Sequence, residues 1–320
     1  MASPDSAAAQ EHPRLRALIE RASGAPSLRT GVVFPCEASA LRATVEAAAA
    51  GLIAPRVYGP TDRIRQIAAD NDIDLTGGAL DLIDSGTQAS EAARRAVADA
   101  AAGDVAALMK GSLHTDELLA AVLARDAGLR GERRLTHTFV FDVPRYDKLL
   151  AVTDAVVNIS PDLHTKRDAI VGACQLLRAL GIERPRVAIV AAVETVNPAI
   201  PATLDARELV ALAREGVFGD ALVEGPFGFD NAISAAAAHT KGIVSEVAGK
   251  PDLLLVPDLN AGNILYKSMV YLAGAECAGV VLGARVPVIL TSRADSPFSR
   301  VASCALAKML ALDQTRGLIC

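Results

Sequence analysis

The stretch PVILTSRADSPFSRVASCALAKML, residues 287–310, joins an apolar run to a polar loop and then to an alanine-rich run. The apolar run PVIL is typical of a buried β-strand. Ser296 followed by Pro297 predicts the start of a helix, because a serine N-cap accepts a bond from a free backbone N–H and proline lacks an N–H that would have no partner. Val301 and Ala305 recur at helical spacing. The stretch therefore predicts a strand, a loop and a helix, the unit of parallel α/β sheets.

Similar apolar runs alternate with alanine-, arginine- and glutamate-rich stretches along the whole chain, which predicts an α/β fold. Leu118, Val122 and Leu129 form one apolar stripe of a predicted helix. Some twelve strands are too many for one doubly wound sheet, so we expect two α/β lobes with mainly parallel sheets and a cleft between them. The clearest predicted strands are residues 31–35, 105–111, 138–143, 187–193, 221–225, 252–258, 279–284 and 287–292.

Composition excludes several classes of function. The 320 residues carry a net charge of −5, which gives no positive field to attract nucleic acid. Apolar runs are broken by Pro, Gly or Arg well short of the ~20 residues that span a bilayer, so we expect no membrane segment. The N-terminus does not resemble a secretory signal. Five scattered cysteines and five scattered histidines predict a reduced, cytoplasmic protein without a metal site.

Ligands of open parallel sheets gather beyond the carboxyl ends of the strands, so the polar loops there are candidate sites. In residues 291–296, TSRADS, the hydroxyl of Ser292, the guanidinium of Arg293 and free backbone N–H groups would suit a phosphoryl group. An ordinary capped loop with a surface arginine would contain the same residues, and both interpretations stay open at this point.

Two further loops follow predicted strands. In residues 110–117, KGSLHTDE, Lys110 and Ser112 are placed to meet phosphate or carbonyl oxygens, although the acids suit a helix N-terminus and no Walker A motif is present. Residues 257–263, PDLNAGN, carry more polar side chains than a turn needs, yet Asp and Asn also favour turns. The chain contains neither a GxSxG elbow nor a GxGxxG fingerprint.

Taken in order, these loops resemble the phosphate acetyltransferase and phosphate butyryltransferase family, which exchanges an acyl group between coenzyme A (CoA) and phosphate. PDLNAGNILYK and TSRADS are the most specific matches, while KGSLHTDELL, DVPRYDKLL and VETVNPAIPATLDA are more similar to the butyryltransferase branch. The matching stretches are residues 110–119, 141–163, 190–206, 223–234, 245–268 and 287–296.

The resemblance implies two α/β lobes, one formed by residues 1–148 and 285–320 and the other by residues 149–284, with the C-terminal segment returning to the first lobe. It implies direct attack of the CoA thiolate on an acyl phosphate, with CoA as a substrate and no permanently bound cofactor. Acetyl, propionyl and butyryl groups all fit the pattern. The family is commonly dimeric, which implies a homodimer here.

By the same resemblance, Arg293 holds the phosphoryl group and Ser292 hydrogen-bonds the carbonyl oxygen as charge develops on it. One departure concerns the base: the acetyltransferases carry an aspartate where this chain has Ser299, and Asp295 is the nearest alternative carboxylate. An arginine that those enzymes carry in the helix after the KGS-like loop is also missing. The implied substrate- and phosphate-binding residues are Lys110, Gly111, Ser112, Thr115, Asp258, Asn260, Asn263, Tyr266 and Lys267.

Two other classes of function remain open from the sequence. The absent aspartate is compatible with a catalytically degenerate protein that binds CoA or acyl-CoA as a regulatory module. The implied fold also resembles that of metal-dependent decarboxylating dehydrogenases, whose chemistry needs clustered carboxylates and NAD. The sequence shows no such cluster.

Overall fold

Eleven strands and eleven helices occur within residues 12–76, 80–291 and 295–315, the parts of the chain that the structure, a computed structural model, describes. The strands are β1 Leu28–Val33, β2 Ile53–Gly59, β3 Asp81–Asp84, β4 Ala107–Lys110, β5 Thr136–Asp142, β6 Leu150–Thr153, β7 Arg186–Val190, β8 Leu222–Phe227, β9 Leu253–Leu255, β10 Glu276–Leu282 and β11 Val288–Ile289. The helices are α1 Pro13–Ser23, α2 Ala38–Ala49, α3 Thr61–Asp70, α4 Ala89–Ala102, α5 Thr115–Leu123, α6 Leu163–Ala179, α7 Pro201–Arg214, α8 Phe229–Ile233, α9 Ala235–Thr240, α10 Leu259–Tyr271 and α11 Pro297–Thr315.

The chain divides into two compact units, of which the first is formed by Met1–Arg133 with Ala278–Cys320 and the second by Arg134–Cys277. The sequence predicted the boundaries between the units near residues 148 and 285. In the structure both boundaries lie earlier in the chain, after Arg133 and after Cys277. The first difference arises because β5 pairs antiparallel with β6 and so belongs to the second unit. The second arises because β10 pairs with β11, which in turn pairs with β4 of the first unit.

In the first unit the strands lie in the order β3-β2-β1-β4-β11-β10. All neighbours are parallel except β10 and β11, so the carboxyl ends of β1, β4 and β11 lie at one edge. Leu118 and Val122 of the predicted stripe are buried on α5, which confirms the helix there, whereas Leu129 is buried but lies beyond the end of α5 at Leu123. At the other side of this unit, the ammonium of the buried Lys308 donates to the carbonyls of Ala25 and Gly51, beyond the ends of α1 and α2.

In the second unit the order is β5-β6-β9-β7-β8, with β6, β9, β7 and β8 parallel. Its core is formed by apolar residues that alternate along the strands, among them Phe141, Val152 and Leu254. Both units are therefore of the α/β class, as predicted. None of the helices in the described ranges is long and apolar enough to cross a bilayer.

Candidate functional site

Three loops meet at the carboxyl edge of the sheet in the first unit. The backbone N–H of Gly111 donates to the carbonyl of Val33 at 2.9 Å, and that of Ser112 donates to the carbonyl of Phe34 at 2.8 Å. The hydroxyl of Thr291 donates to the carbonyl of Lys110 at 3.2 Å. The chain at the end of β4 is therefore bonded both to the loop after β1 and to Thr291, the first residue of the TSRADS segment.

Gly111 occupies a position that no larger residue fits. A Cβ atom there would lie 2.4 Å from the carbonyl oxygen of Val33 and 2.6 Å from the nitrogen of Pro35. Those are backbone atoms at the end of β1 and in the loop after it, so they cannot move aside cheaply. The glycine is thus required by the close approach of two loops.

The neighbours of Gly111 supply polar groups at this edge. The ammonium of Lys110 donates to the carbonyls of Gly111 and Leu113, at 3.3 and 3.2 Å, and so lies over its own loop. The hydroxyl oxygen of Ser112 is buried and has no hydrogen-bond partner within the part of the chain that the structure describes. A buried hydroxyl without a partner costs free energy, which a bound oxyanion would recover.

Thr115 is the first residue of α5 and lies half-buried beside this loop. The backbone N–H of His114, the N-cap residue, donates to the carboxylate of Glu117 at 3.0 Å, which forms a capping box. The acids of the segment therefore serve the helix N-terminus, as the sequence suggested.

Ser292 and Arg293 lie outside the described residues. On their far side the predicted helix start is confirmed: α11 begins at Pro297, and the hydroxyl of Ser296 accepts a bond from the N–H of Ser299 at 3.0 Å. Ser299, which stands where the family carries an aspartate, is 5% exposed in the first turn of α11.

Asp295 is half-buried at one end of a cavity between α2 and α11. The guanidinium of the buried Arg300 donates to the carbonyl of Ser39 at 2.8 Å and so joins the first turns of the two helices. The cavity has a volume of about 390 Å³ and is lined by Ala38, Ser39, Arg42, Ala43, Glu46, Asp295, Pro297 and Arg300.

The second unit carries the other predicted residues on or before α10. The carboxylate of Asp258 accepts a bond from the N–H of Ala261 at 3.0 Å, so this residue caps the helix. Asn260 and Lys267 are exposed, whereas Asn263 and Tyr266 are half-buried. The ring of Tyr266 stacks on that of Phe139 with centroids 4.4 Å apart.

One buried residue of this unit was missed by the sequence reasoning. Asp154 directly follows β6 and is 3% exposed, and its carboxylate accepts bonds from the N–H groups of Val156 and Val157 at 2.9 and 3.0 Å. Burial raises the pKa of Asp154, and the backbone donors oppose that rise. The available signal was an aspartate after an apolar run, but LAVT is a short run and was not recognised as a strand.

Comparison with known proteins decides the family. Residues 84–308 match the model of the family described as "Phosphate acetyl/butaryl transferase". The chain belongs to this family. Within residues 12–76, 80–291 and 295–315, no group of three or more His, Cys, Asp or Glu side chains is arranged to hold a metal ion.

Relatives and solved structures of this family resemble the chain over most of its length. A phosphate acetyltransferase of Rhizobium meliloti is 48% identical over 282 residues, which are 88% of this chain and 88% of that protein. A phosphate butyryltransferase of Clostridium acetobutylicum is 36% identical over 271 residues, 85% of this chain and 89% of that protein. A branched-chain phosphotransacylase from Enterococcus faecalis V583 has a TM-score of 0.76 at 26% identity, covering 89% of this chain and 99% of that one.

The chain is therefore a phosphate acyltransferase of the phosphate acetyl/butyryltransferase family, as the motifs predicted. Of the two relatives above, the acetyltransferase is the more similar, so overall identity does not favour the butyryltransferase branch. The transferase names of these relatives lend no support to a regulatory binding module or a dehydrogenase.

Proposed function

We propose that the protein transfers a short-chain acyl group, acetyl, propionyl or butyryl, reversibly between CoA and inorganic phosphate. The observation that carries this proposal is the buried hydroxyl of Ser112, which has no partner in the described ranges and lies in a loop bonded to the start of the TSRADS segment. A phosphoryl oxygen at this edge would supply the missing partner. Lys110, Gly111, Ser112 and Thr115 then bind the phosphoryl group together with Arg293.

The reaction makes modest demands on the protein. The CoA sulfur attacks the carbonyl carbon of the acyl phosphate, a tetrahedral oxyanion forms, and the carbon–oxygen bond to phosphate breaks without a covalent enzyme intermediate. Orienting the sulfur and stabilising the oxyanion are the main contributions. Ser292 hydrogen-bonds that oxyanion, and Arg293 stabilises the departing phosphate dianion.

The thiol of CoA must lose its proton, because the thiolate is the nucleophile and a free thiol has a pKa of about 8.5. The hydroxyl of Ser299 cannot act as this base unaided. We assign the role to Asp295, which is the nearest carboxylate in sequence to Arg293 and is half-buried. Asp258, Asn260, Asn263, Tyr266 and Lys267 are assigned to CoA, whose length calls for contacts beyond the reacting atoms.

The test is thioester formation from free CoA with acetyl, propionyl and butyryl phosphate in parallel, with purified protein and without added metal or nucleotide. We expect turnover with at least one of them, and the ranking of kcat/KM reports the size of the acyl pocket. One methylene changes binding by only about 1–3 kcal/mol, so the three values will form a graded series. No turnover with any of them, while CoA still raises the Tm, would contradict the proposal and favour a CoA-binding module.

We also propose a cytoplasmic homodimer. The described Cys36, Cys174 and Cys304 are buried thiols, as expected in a reducing compartment. At the end of α10, the adjacent apolar side chains of Tyr271 and Leu272 are 68% and 86% exposed, and we propose that the partner subunit covers them. Light scattering should give twice the mass of one chain, and Leu272→Asp should shift it toward the monomer. An unchanged monomeric mass for the wild type would contradict the dimer.

A further inference from the structure

The segment that follows β6, residues 154–159, forms the support on which α10 begins. The N–H of Leu259, the first residue of α10, donates to the carbonyl of Ile159 at 3.1 Å. The N–H of Val256, just before the helix, donates to the carbonyl of Thr153 at 2.9 Å. The first residue of α10 is thus bonded to the end of this segment, and the chain that leads into α10 is bonded to the end of β6, from which the segment departs.

The contact between α10 and the segment is too close for any side chain. A Cβ atom on Gly262 would lie 2.9 Å from the Cα of Ala155 and 2.9 Å from a methyl carbon of Val256. Since Ala155 is the residue after Asp154, any shift of the Asp154 backbone moves the surface against which the helix packs.

The carboxylate of Asp154 determines the shape of that segment. Besides the bonds from Val156 and Val157, it accepts bonds from Asn158, at 3.3 Å from the backbone N–H and 2.6 Å from the side-chain amide. The same amide donates to the carbonyl of Leu135 at 2.8 Å, which connects the segment to the start of β5. Together with the backbone N–H of His137, these donors use the acceptor capacity of an ionised aspartate, which an asparagine could not reproduce.

We propose that Asp154 is a positioning residue for CoA binding: it holds the 154–159 segment in one shape, and that shape fixes the orientation of α10 and of its polar residues Asn260, Asn263 and Lys267. This inference rests on the proposed function, because it takes α10 as the CoA-binding helix. Asp154 itself is buried and does not touch the substrate.

The test compares Asp154→Asn with Asp168→Asn, a matched control in the same unit. Asp168 is also buried, at 2% exposure, and its carboxylate accepts a bond from the N–H of Arg134 at 2.9 Å, but it lies on α6. Both variants should lower the Tm, since each leaves buried donors poorly satisfied. We expect Asp154→Asn alone to raise the KM for CoA by about tenfold, with kcat at saturating CoA and the KM for acyl phosphate nearly unchanged.

A second variant keeps the proposal testable if Asp154→Asn does not fold. Gly262→Ala leaves the carboxylate intact and adds a methyl group that must push α10 away from Ala155. This displacement should raise the KM for CoA as Asp154→Asn does, although alanine is otherwise more favourable than glycine within a helix. An unchanged KM in both variants, or an equal rise in Asp168→Asn, would overturn the inference.

The Kd of CoA, measured by isothermal titration calorimetry on all four proteins, separates this inference from the proposed function. Wild-type protein that binds CoA without forming a thioester contradicts the transfer reaction alone, and a Kd raised in Asp154→Asn and Gly262→Ala still supports the positioning role. Wild-type turnover with an equal Kd in all four proteins overturns the positioning role alone. Wild-type protein that neither binds CoA nor turns over contradicts both.

Discussion

The carboxyl edges of the two units use their polar groups in opposite ways. In the second unit, the carboxylates of Asp154 and Asp258 accept bonds from backbone N–H groups. Asp154 thereby fixes a loop, and Asp258 caps a helix. In the first unit, the buried hydroxyl of Ser112 has no hydrogen-bond partner among the residues that the structure describes. The difference separates residues that support a site from residues that have hydrogen-bonding capacity left for a ligand.

The largest expected effect tests the assignment of the phosphoryl site to the first unit. Arg293→Gln removes the cation to which we assign the departing phosphate dianion, so we expect kcat to fall by about two orders of magnitude or more. Steady-state thioester formation measures it, with circular dichroism to show that the variant is folded. Near-normal turnover would move the phosphoryl site elsewhere and remove the contrast between the two edges.

The next effect tests the close approach of the loops after β1 and β4. Gly111→Ala places a methyl group against the backbone of Val33 and Pro35, so we expect the free energy of unfolding to fall by about 1–3 kcal/mol, with a loss of activity as the Ser112 loop is displaced. Urea denaturation measures the stability. Gly24→Ala is the control, because its nearest neighbour would lie at an ordinary 3.6 Å. Equal stability of the two variants would show that the loops have room to separate.

A third prediction uses a buried imidazole on β5 of the second unit. Burial lowers the pKa of His137 from 6.5 to about 3 in the folded state, and its Nδ1 has no partner among the described groups. Below pH 6.5 the imidazole of the unfolded chain becomes protonated, whereas that of the folded chain stays neutral. The contribution of His137 to the unfolding free energy is therefore complete above pH 6.5 and is lost as the pH falls toward 3.

His137→Gln removes this proton uptake. Between pH 6 and pH 4 the unfolding free energy of the wild type should therefore fall more steeply than that of the variant, by up to about 1.4 kcal/mol per pH unit. Denaturant titrations at several pH values measure both slopes, and the contributions of other groups cancel in the difference. Parallel slopes would show that the imidazole is accessible to protons in the folded protein.

The smallest effects test the contrast between the two edges directly. Ser112→Ala should leave the unfolding free energy within about 0.5 kcal/mol of the wild-type value, since the hydroxyl bonds none of the described residues, while lowering kcat/KM for acyl phosphate by about tenfold. Asp258→Ala should instead lower the unfolding free energy by about 1 kcal/mol, because a helix cap is removed. A Ser112→Ala variant that is destabilised but fully active would reverse the interpretation of this residue.

The sequence predicted those features that depend on neighbours along the chain. Each of the eight predicted strands overlaps an observed one, and the Ser296 cap lies where the pattern placed it. β2 was missed because Pro55 and Arg56 interrupt its apolar run, and Arg56 forms ion pairs with residues distant in sequence, among them Asp81 of the neighbouring strand.

The parts of the site that the sequence could not give depend on contacts between distant residues. The need for glycine at position 111 comes from Val33, which lies in another strand. Ser112 and Asp154 both follow apolar runs, so the sequence alone does not distinguish a polar side chain that is left for a ligand from one that bonds the backbone around it. Only the folded arrangement shows which of them has a partner.

Synthesis from the N-terminus delays the completion of the first unit. That unit needs residues from both ends of the chain, whereas the second is one continuous stretch, Arg134–Cys277. On the ribosome, β4 therefore waits for β11 while the whole second unit is made, which takes about 7–30 s at bacterial and eukaryotic elongation rates. During that interval one edge of β4 has no strand beside it and Ala25 and Gly51 lack the ammonium of Lys308. A nascent chain stalled before residue 288 should accordingly present a bare sheet edge to a chaperone.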